Sequence, residues 1–121
     1  MSNILIAHGK RTRRIILAAY VRSAGMEPVI AATCTEALAA LDHRPVHLVI
    51  AGAATTDDYG VDVVHYIRGR EDLRHLPVLL VVDHQAPFVA MANEANAVIY
   101  TPLMYRDVMD TVQHCMGMPV Y

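Results

Sequence analysis

Val46-His47-Leu48-Val49-Ile50-Ala51, running directly into Gly52, is the stretch that decides the fold. Apart from His47 it is apolar without alternation. It lies between the turn His43-Arg44-Pro45 and a small, polar loop at 52–59. A short β-branched run with no polar face reads as a strand buried on both sides. Two other runs share this character, Ile4-Leu5-Ile6-Ala7 near the start of the chain and the continuous apolar run at 77–82. A fourth, 29–32, opens after Pro28, and a fifth, 97–100, precedes Thr101-Pro102.

Segments of helical period separate these runs. The first, 12–24, carries Ile15, Ile16, Ala19 and Tyr20 and is stopped by Gly25 as a glycine just past a helix end. Thr33 and Glu36 have capping-box spacing ahead of Ala37, Leu38 and Leu41, with Thr35 as an alternative cap. Gly60 leads into Val61, Val64, His65, Ile67 and Arg68 at helical spacing, and Gly69 ends that helix. A fourth helix is expected at 86–95, with Phe88, Met91, Ala92 and Ala95 on one face. The last begins at about Leu103, turns Met104, Val108, Thr111, Val112 and Cys115 inward, and ends at Gly117 and Pro119.

The order is therefore (βα)5 in a single domain over residues 1–121, an α/β fold. Strands buried on both faces and joined by right-handed crossovers make a doubly wound three-layer sandwich around a five-stranded parallel sheet. Ligands and active sites of such sheets lie at the carboxyl ends of the strands. That rule singles out His8, Gly9, Gly52, Val82, Asp83 and Thr101.

Composition bounds the function. At 121 residues there is room for one core and no second domain, and 55% hydrophobic against 18% charged residues excludes the disordered class. The apolar runs fall far short of the ~20 residues that a membrane-spanning helix needs. The start of the chain lacks the basic and long apolar regions of a secretory signal, so a cytoplasmic location is expected. Cys34 and Cys115 are far apart, with neither a disulfide framework nor zinc spacing. A net charge of −2 gives no general nucleic-acid footprint, and no direct nucleic-acid binding is expected. The local exception is the basic cluster Lys10, Arg11, Arg13 and Arg14.

Ile4-Leu5-Ile6 before a first loop, Leu48-Val49-Ile50, Gly60 heading a third helix, Leu76-Pro77-Val78 and Pro102 after the fifth strand stand together in one order and spacing. Over nearly its whole length the chain thereby resembles the receiver domains of two-component response regulators, the CheY-like, flavodoxin-like family. The resemblance implies the strand order 2-1-3-4-5 and a role in bacterial phosphorelay signal transduction. It also implies a pocket in which two acids after strand one and an aspartate at the end of strand three hold Mg²⁺, the last being the phosphoryl acceptor. A hydroxyl after strand four, a lysine before the proline and a switch aromatic on strand five complete the set.

In this sequence His8 and Gly9 stand at the paired acids, Gly52 at the acceptor, Val82 at the hydroxyl, Thr101 at the lysine and Val98 at the aromatic. Gly52 offers no carboxylate nucleophile, and His8-Gly9 none of the oxygen ligands that magnesium demands. Thr101 supplies no cationic clamp for a transferred phosphoryl group. The expectation is a degenerate pseudo-receiver that needs no cofactor or metal, is not an enzyme, and signals by protein–protein interaction. No nucleophile–base pair or Gly-rich phosphate loop supports an enzyme.

The alternative is a receiver-like domain sensing a small ligand or metal in a remodelled pocket lined by His8, Asp57 and Asp83. Asp57, Asp58, Asp83 and His84 lack the spacing of a relocated site and read as turn and cap residues. The basic cluster opens the first helix, where the macrodipole disfavours cations, so an anion, a partner, or Asp57, Asp58 or Asp83 must offset it. The resemblance places a partner or homodimer surface on the fourth helix, fifth strand and last helix, where Met91, Tyr100, Met104, Tyr105 and Met109 occur. Helical spacing favours Met91 and Met104 for the core, leaving Tyr105 and Met109 as the exposed candidates.

Overall fold

The computed structural model describes residues 2–52, 60–83 and 95–117. Along the chain run β1 (Asn3–Ala7), α1 (Arg11–Ser23), β2 (Glu27–Ala31), α2 (Cys34–His43), β3 (Leu48–Gly52), α3 (Gly60–Gly69), β4 (Val78–Val82), β5 (Ala97–Tyr100) and α4 (Tyr105–Cys115). The five strands pair in parallel in the order β2-β1-β3-β4-β5. The helix expected at 86–95 lies, but for Ala95, outside the described residues.

Alternate residues of each strand serve two separate cores, which is why the runs carry no polar face. Leu5, Ala7, Val49, Ala51, Leu80 and Val82 pack with α2 and α3 through Ala37, Leu41, Val63, Val64 and Ile67. Ile4, Ile6, Leu48, Ile50, Leu79 and Val81 pack with α1 and α4 through Leu17, Val21, Val108 and Val112. Helices thus cover both faces, and the loops at the carboxyl ends of the strands are left to form a site. Among the described residues no helix is long and apolar enough to cross a membrane.

Local signals set most boundaries. Thr33 caps α2 by accepting the Glu36 amide at 3.2 Å, and Glu36 reaches back to the same hydroxyl. Gly25, with φ +80°, turns the chain out of α1 where a side chain would be strained. Strand edges moved by one or two residues. β3 starts at Leu48 because residues at 46–47 approach the sheet rather than join it, with Asn3 and His47 exchanging hydrogen bonds at 2.9 Å. β2 begins before the expected 29–32 and includes Pro28, which an edge strand tolerates because one side needs no ladder donors.

One long polar side chain organises the opposite end of the sheet. Arg68, on α3, donates to the carbonyls of Arg74 at 2.9 Å and Leu76 at 2.7 Å, and to Asn96 Oδ1 at 2.9 Å. Asn96 Oδ1 also accepts the Val78 amide at 2.8 Å, so a single guanidinium joins α3 to the starts of β4 and β5. Hydrogen bonds from charged donors contribute about 1.5–3 kcal/mol each at most, and exposure reduces this. Arg68→Ala is expected to lower the unfolding free energy by roughly 1–3 kcal/mol in a urea titration, whereas Arg74→Ala, on an exposed side chain, should change it by less than about 0.5 kcal/mol.

Candidate functional site at the carboxyl edge of the sheet

Strand register brings His8 and Gly52 side by side. Ala7 of β1 pairs with Ala51 of β3, so the next residues along each strand are neighbours on the same face. Leu5 with Val49 and Ile6 with Ile50 pair in the same way with both side chains in place, so it is the lean of the His8 ring over position 52, and not the strand spacing, that excludes a side chain there. His8 takes the space: its side chain is 1% exposed, and a Cβ placed on Gly52 would lie 2.5 Å from Cδ2, 2.7 Å from Nε2 and 2.9 Å from Cγ of the ring. Glycine is needed at 52 for this close approach, since its φ is not in the left-handed region.

The ring is oriented by α1. The Lys10 amide donates to His8 Nδ1 at 3.0 Å, which assigns the proton of the neutral imidazole to Nε2. Arg13 approaches Nε2 at 3.4 Å. The His8 amide continues the ladder to the Ala31 carbonyl at 3.3 Å, so the backbone is fixed as well.

Three of the four residues of the basic cluster, Lys10, Arg13 and Arg14, meet partners within the chain. α1 has no acidic residue in its first turn, and its N-cap, Lys10, makes no side-chain cap bond. Arg14 donates to the carbonyls of His8 at 2.9 Å and Gly9 at 3.0 Å. Arg13 is ion-paired to Asp83, just past β4, and Lys10 Nζ lies 3.5 Å from the other oxygen of that carboxylate. The Thr101 hydroxyl stands 3.5 Å from Asp83 Oδ1, and the Thr101 amide donates to the Val82 carbonyl at 3.0 Å. Thr101 is followed by Pro102 through a cis peptide bond. Burial pushes the Asp83 carboxyl up, but the hydrogen bond and charge of Arg13, then Lys10, outweigh it and hold the group below the usual carboxylate range.

His8, Gly9, Gly52, Asp83 and Thr101 therefore converge at one edge, with Val82 buried beneath it. Val98 is partly buried against the α2–α3 side of the core. Asp57, Asp58 and His84 lie outside the described residues. Among the described residues the donor set does not fit Mg²⁺: Asp83 is taken by two cations, His8 Nδ1 by an amide, and position 52 has no side-chain oxygen. Among the described residues no group of three or more His, Cys, Asp or Glu side chains could hold a metal ion.

The expected partner face is corrected in part. Tyr100 (55% exposed), Met104 (57%) and Tyr105 (46%) are on the surface, but Met109 is 4% exposed and belongs to the core with Val108 and Val112. Met104 was expected inside. It is the extended N-cap of α4, so its side chain does not follow the helical phase that turns Val108 inward. Tyr105 stacks edge-to-face on Tyr20, centroids 5.1 Å apart, and the Tyr20 hydroxyl donates to the Leu103 carbonyl at 2.6 Å. Met91 lies outside the described residues.

No family model matches the sequence, and no curated protein matches it either. Solved structures do. The chain is similar to a putative response regulator from Chloroflexus aurantiacus J-10-fl, with a TM-score of 0.85 and 19% identity over 96% of this chain and 98% of that one. It is similar to the signal receiver domain of a signal transduction histidine kinase from Syntrophus aciditrophicus, with a TM-score of 0.83 and 20% identity over 97% and 91% of the two chains. The chemotaxis protein CheY4 of Vibrio cholerae gives a TM-score of 0.83 and 19% identity over 95% and 98%. The fold is the receiver-domain fold. At these identities the likeness is one of architecture, and the strand order implied by the sequence resemblance is the one observed.

Two outcomes test this geometry. Gly52→Ala should destabilise the domain by about 1–3 kcal/mol through overpacking against the ring, and the loss should shrink by more than about 0.5 kcal/mol in a His8→Ala background, read from a double-mutant cycle in urea. For pH, the folded state binds fewer protons than the unfolded state only between the depressed value of the Asp83 carboxyl and its unfolded value of about 4, so the contribution is complete above about 4 and is lost as pH falls through the folded value. Asp42, held low chiefly by the hydrogen bond from Tyr66, titrates in the same direction. Asp83→Asn should therefore lose less of its stability between about pH 6 and about pH 3 than the parent does.

Proposed function

We propose that this chain is a receiver-like signalling module that takes no phosphoryl group and works through contact with a protein partner. The single observation that carries the reading is the His8 ring packed over Gly52 at the position where the resemblance places the acceptor. An acyl phosphate needs a carboxylate at that point, and the space for one is filled. Around it the electrostatics run against a metal-assisted transfer, because Lys10 and Arg13 are committed to Asp83 rather than free to neutralise an incoming phosphate.

Degeneracy on this reading extends to every chemical position: His8 and Gly9 for the paired acids, Gly52 for the acceptor, Val82 for the hydroxyl, Thr101 for the lysine and Val98 for the aromatic. The neighbours in fold are receiver domains of two-component signalling, which supports a role in signal transduction. Tyr100, Met104 and Tyr105 supply exposed apolar and amphipathic area where β5 meets α4, of the residue types enriched at protein interfaces.

Incubation with Mg²⁺ and acetyl phosphate should leave the intact mass unchanged, and beryllofluoride should leave the amide shifts of residues 8, 52, 83 and 101 in place. Gly52→Asp should behave the same way, since it restores one oxygen donor and clashes with His8. A mass gain of one phosphoryl group in either protein would overturn the reading.

A further inference from the structure

Lys10, Arg13 and Thr101 hold a carboxylate in the way a protein holds a small oxyanion. Four of the five residues from Lys10 to Arg14 are basic and stand at the start of a helix, where peptide dipoles favour negative charge. Arg14 is turned back onto two carbonyls. Lys10 and Arg13 are left to converge, from α1, on a single group contributed by β4, and a hydroxyl from β5 approaches the same oxygen as Arg13. A guanidinium, an ammonium and a hydroxyl around two carboxylate oxygens are equally suited to phosphate, whose oxygens accept the same bonds.

We propose that Lys10, Arg13 and Thr101 form an oxyanion site whose resident ligand is the chain's own Asp83 carboxylate. The internal ligand excludes an external one and ties the ends of β4 and β5 to α1 in one fixed arrangement. It goes beyond the absence of a phosphoryl acceptor, because it concerns a non-covalent anion and stands whether or not position 52 can be modified. It also explains how the domain keeps a cation-rich helix start without an acidic side chain on that helix.

Asp83→Ala vacates the site, and inorganic phosphate is the probe. Thermal unfolding of the full chain, of Asp83→Ala and of Arg13→Ala/Asp83→Ala is compared in phosphate and in sodium chloride of equal ionic strength. The general stabilising effect of phosphate on burial is common to all three proteins and cancels in the comparison. Asp83→Ala should unfold at a lower temperature than the parent in chloride. It should regain roughly 5 °C at about ten times the phosphate dissociation constant, the size expected for a specific ligand in a domain of this length. The parent and the double variant should show no such gain. If the alanine variant does not fold, Asp83→Asn, which keeps the shape and removes the charge, is titrated in the same way. A phosphate gain as large in the parent as in the Asp83 variants, no gain in either variant, or a gain that survives loss of Arg13 would each overturn the proposal.

Discussion

The His8 ring lies where a side chain at position 52 would begin, and the chemistry of the carboxyl edge follows from that contact. Parallel pairing of β1 with β3 fixes the two residues side by side, and the His8 ring leans over position 52 so closely that only a residue without a side chain fits there. Because Gly52 is such a residue, the imidazole can lie across the sheet, accept the Lys10 amide and close the edge from below. The Lys10 amide that orients the ring is also the entry to α1, and α1 carries the cations that meet Asp83.

Charge is arranged around this closed edge so that Lys10, Arg13 and Arg14 meet partners inside the chain. Arg13 and Lys10 offset the carboxylate of Asp83, and Arg14 satisfies two carbonyls of the loop after β1. The ion pair is partly shielded, with Arg13 and Asp83 side chains 16% and 24% exposed, so it is less screened than a fully exposed surface pair. Opposite charges from the start of α1 and from the residue after β4 add a polar brace to elements that already share one core. Tyr20 adds a second brace from the same helix, through its hydroxyl on Leu103 and its ring against Tyr105.

Much of the architecture was legible because both faces of the sheet are buried. Continuous apolar runs such as Leu48-Val49-Ile50 admit no solvent-facing side, and that alone implies helices above and below. Thr33 and Gly25 set helix ends through local chemistry that a sequence displays directly. The His8–Gly52 contact was not legible in the same way, although both residues were marked as lying just past a strand. It depends on register between segments 44 positions apart, and only aligning Ala7 with Ala51 would have exposed it. Asp83 was among the counter-ions considered for the basic cluster, but which acid Arg13 reaches is decided by the crossing of α1 over the strand ends. Met104 and Met109 exchanged places because a residue at a helix cap leaves the helical phase, while Met109 sits one position from Val108 on the buried stripe.

The contact between positions 8 and 52 can be observed directly by NMR on isotopically labelled protein. A strong nuclear Overhauser effect between the Gly52 α protons and His8 Hδ2, together with long-range nitrogen shifts that assign the His8 proton to Nε2, is the result this account requires. Absence of that proton contact, or a His8 ring whose shifts report averaging between tautomers, would contradict it, because the edge of the sheet would then be open at position 52.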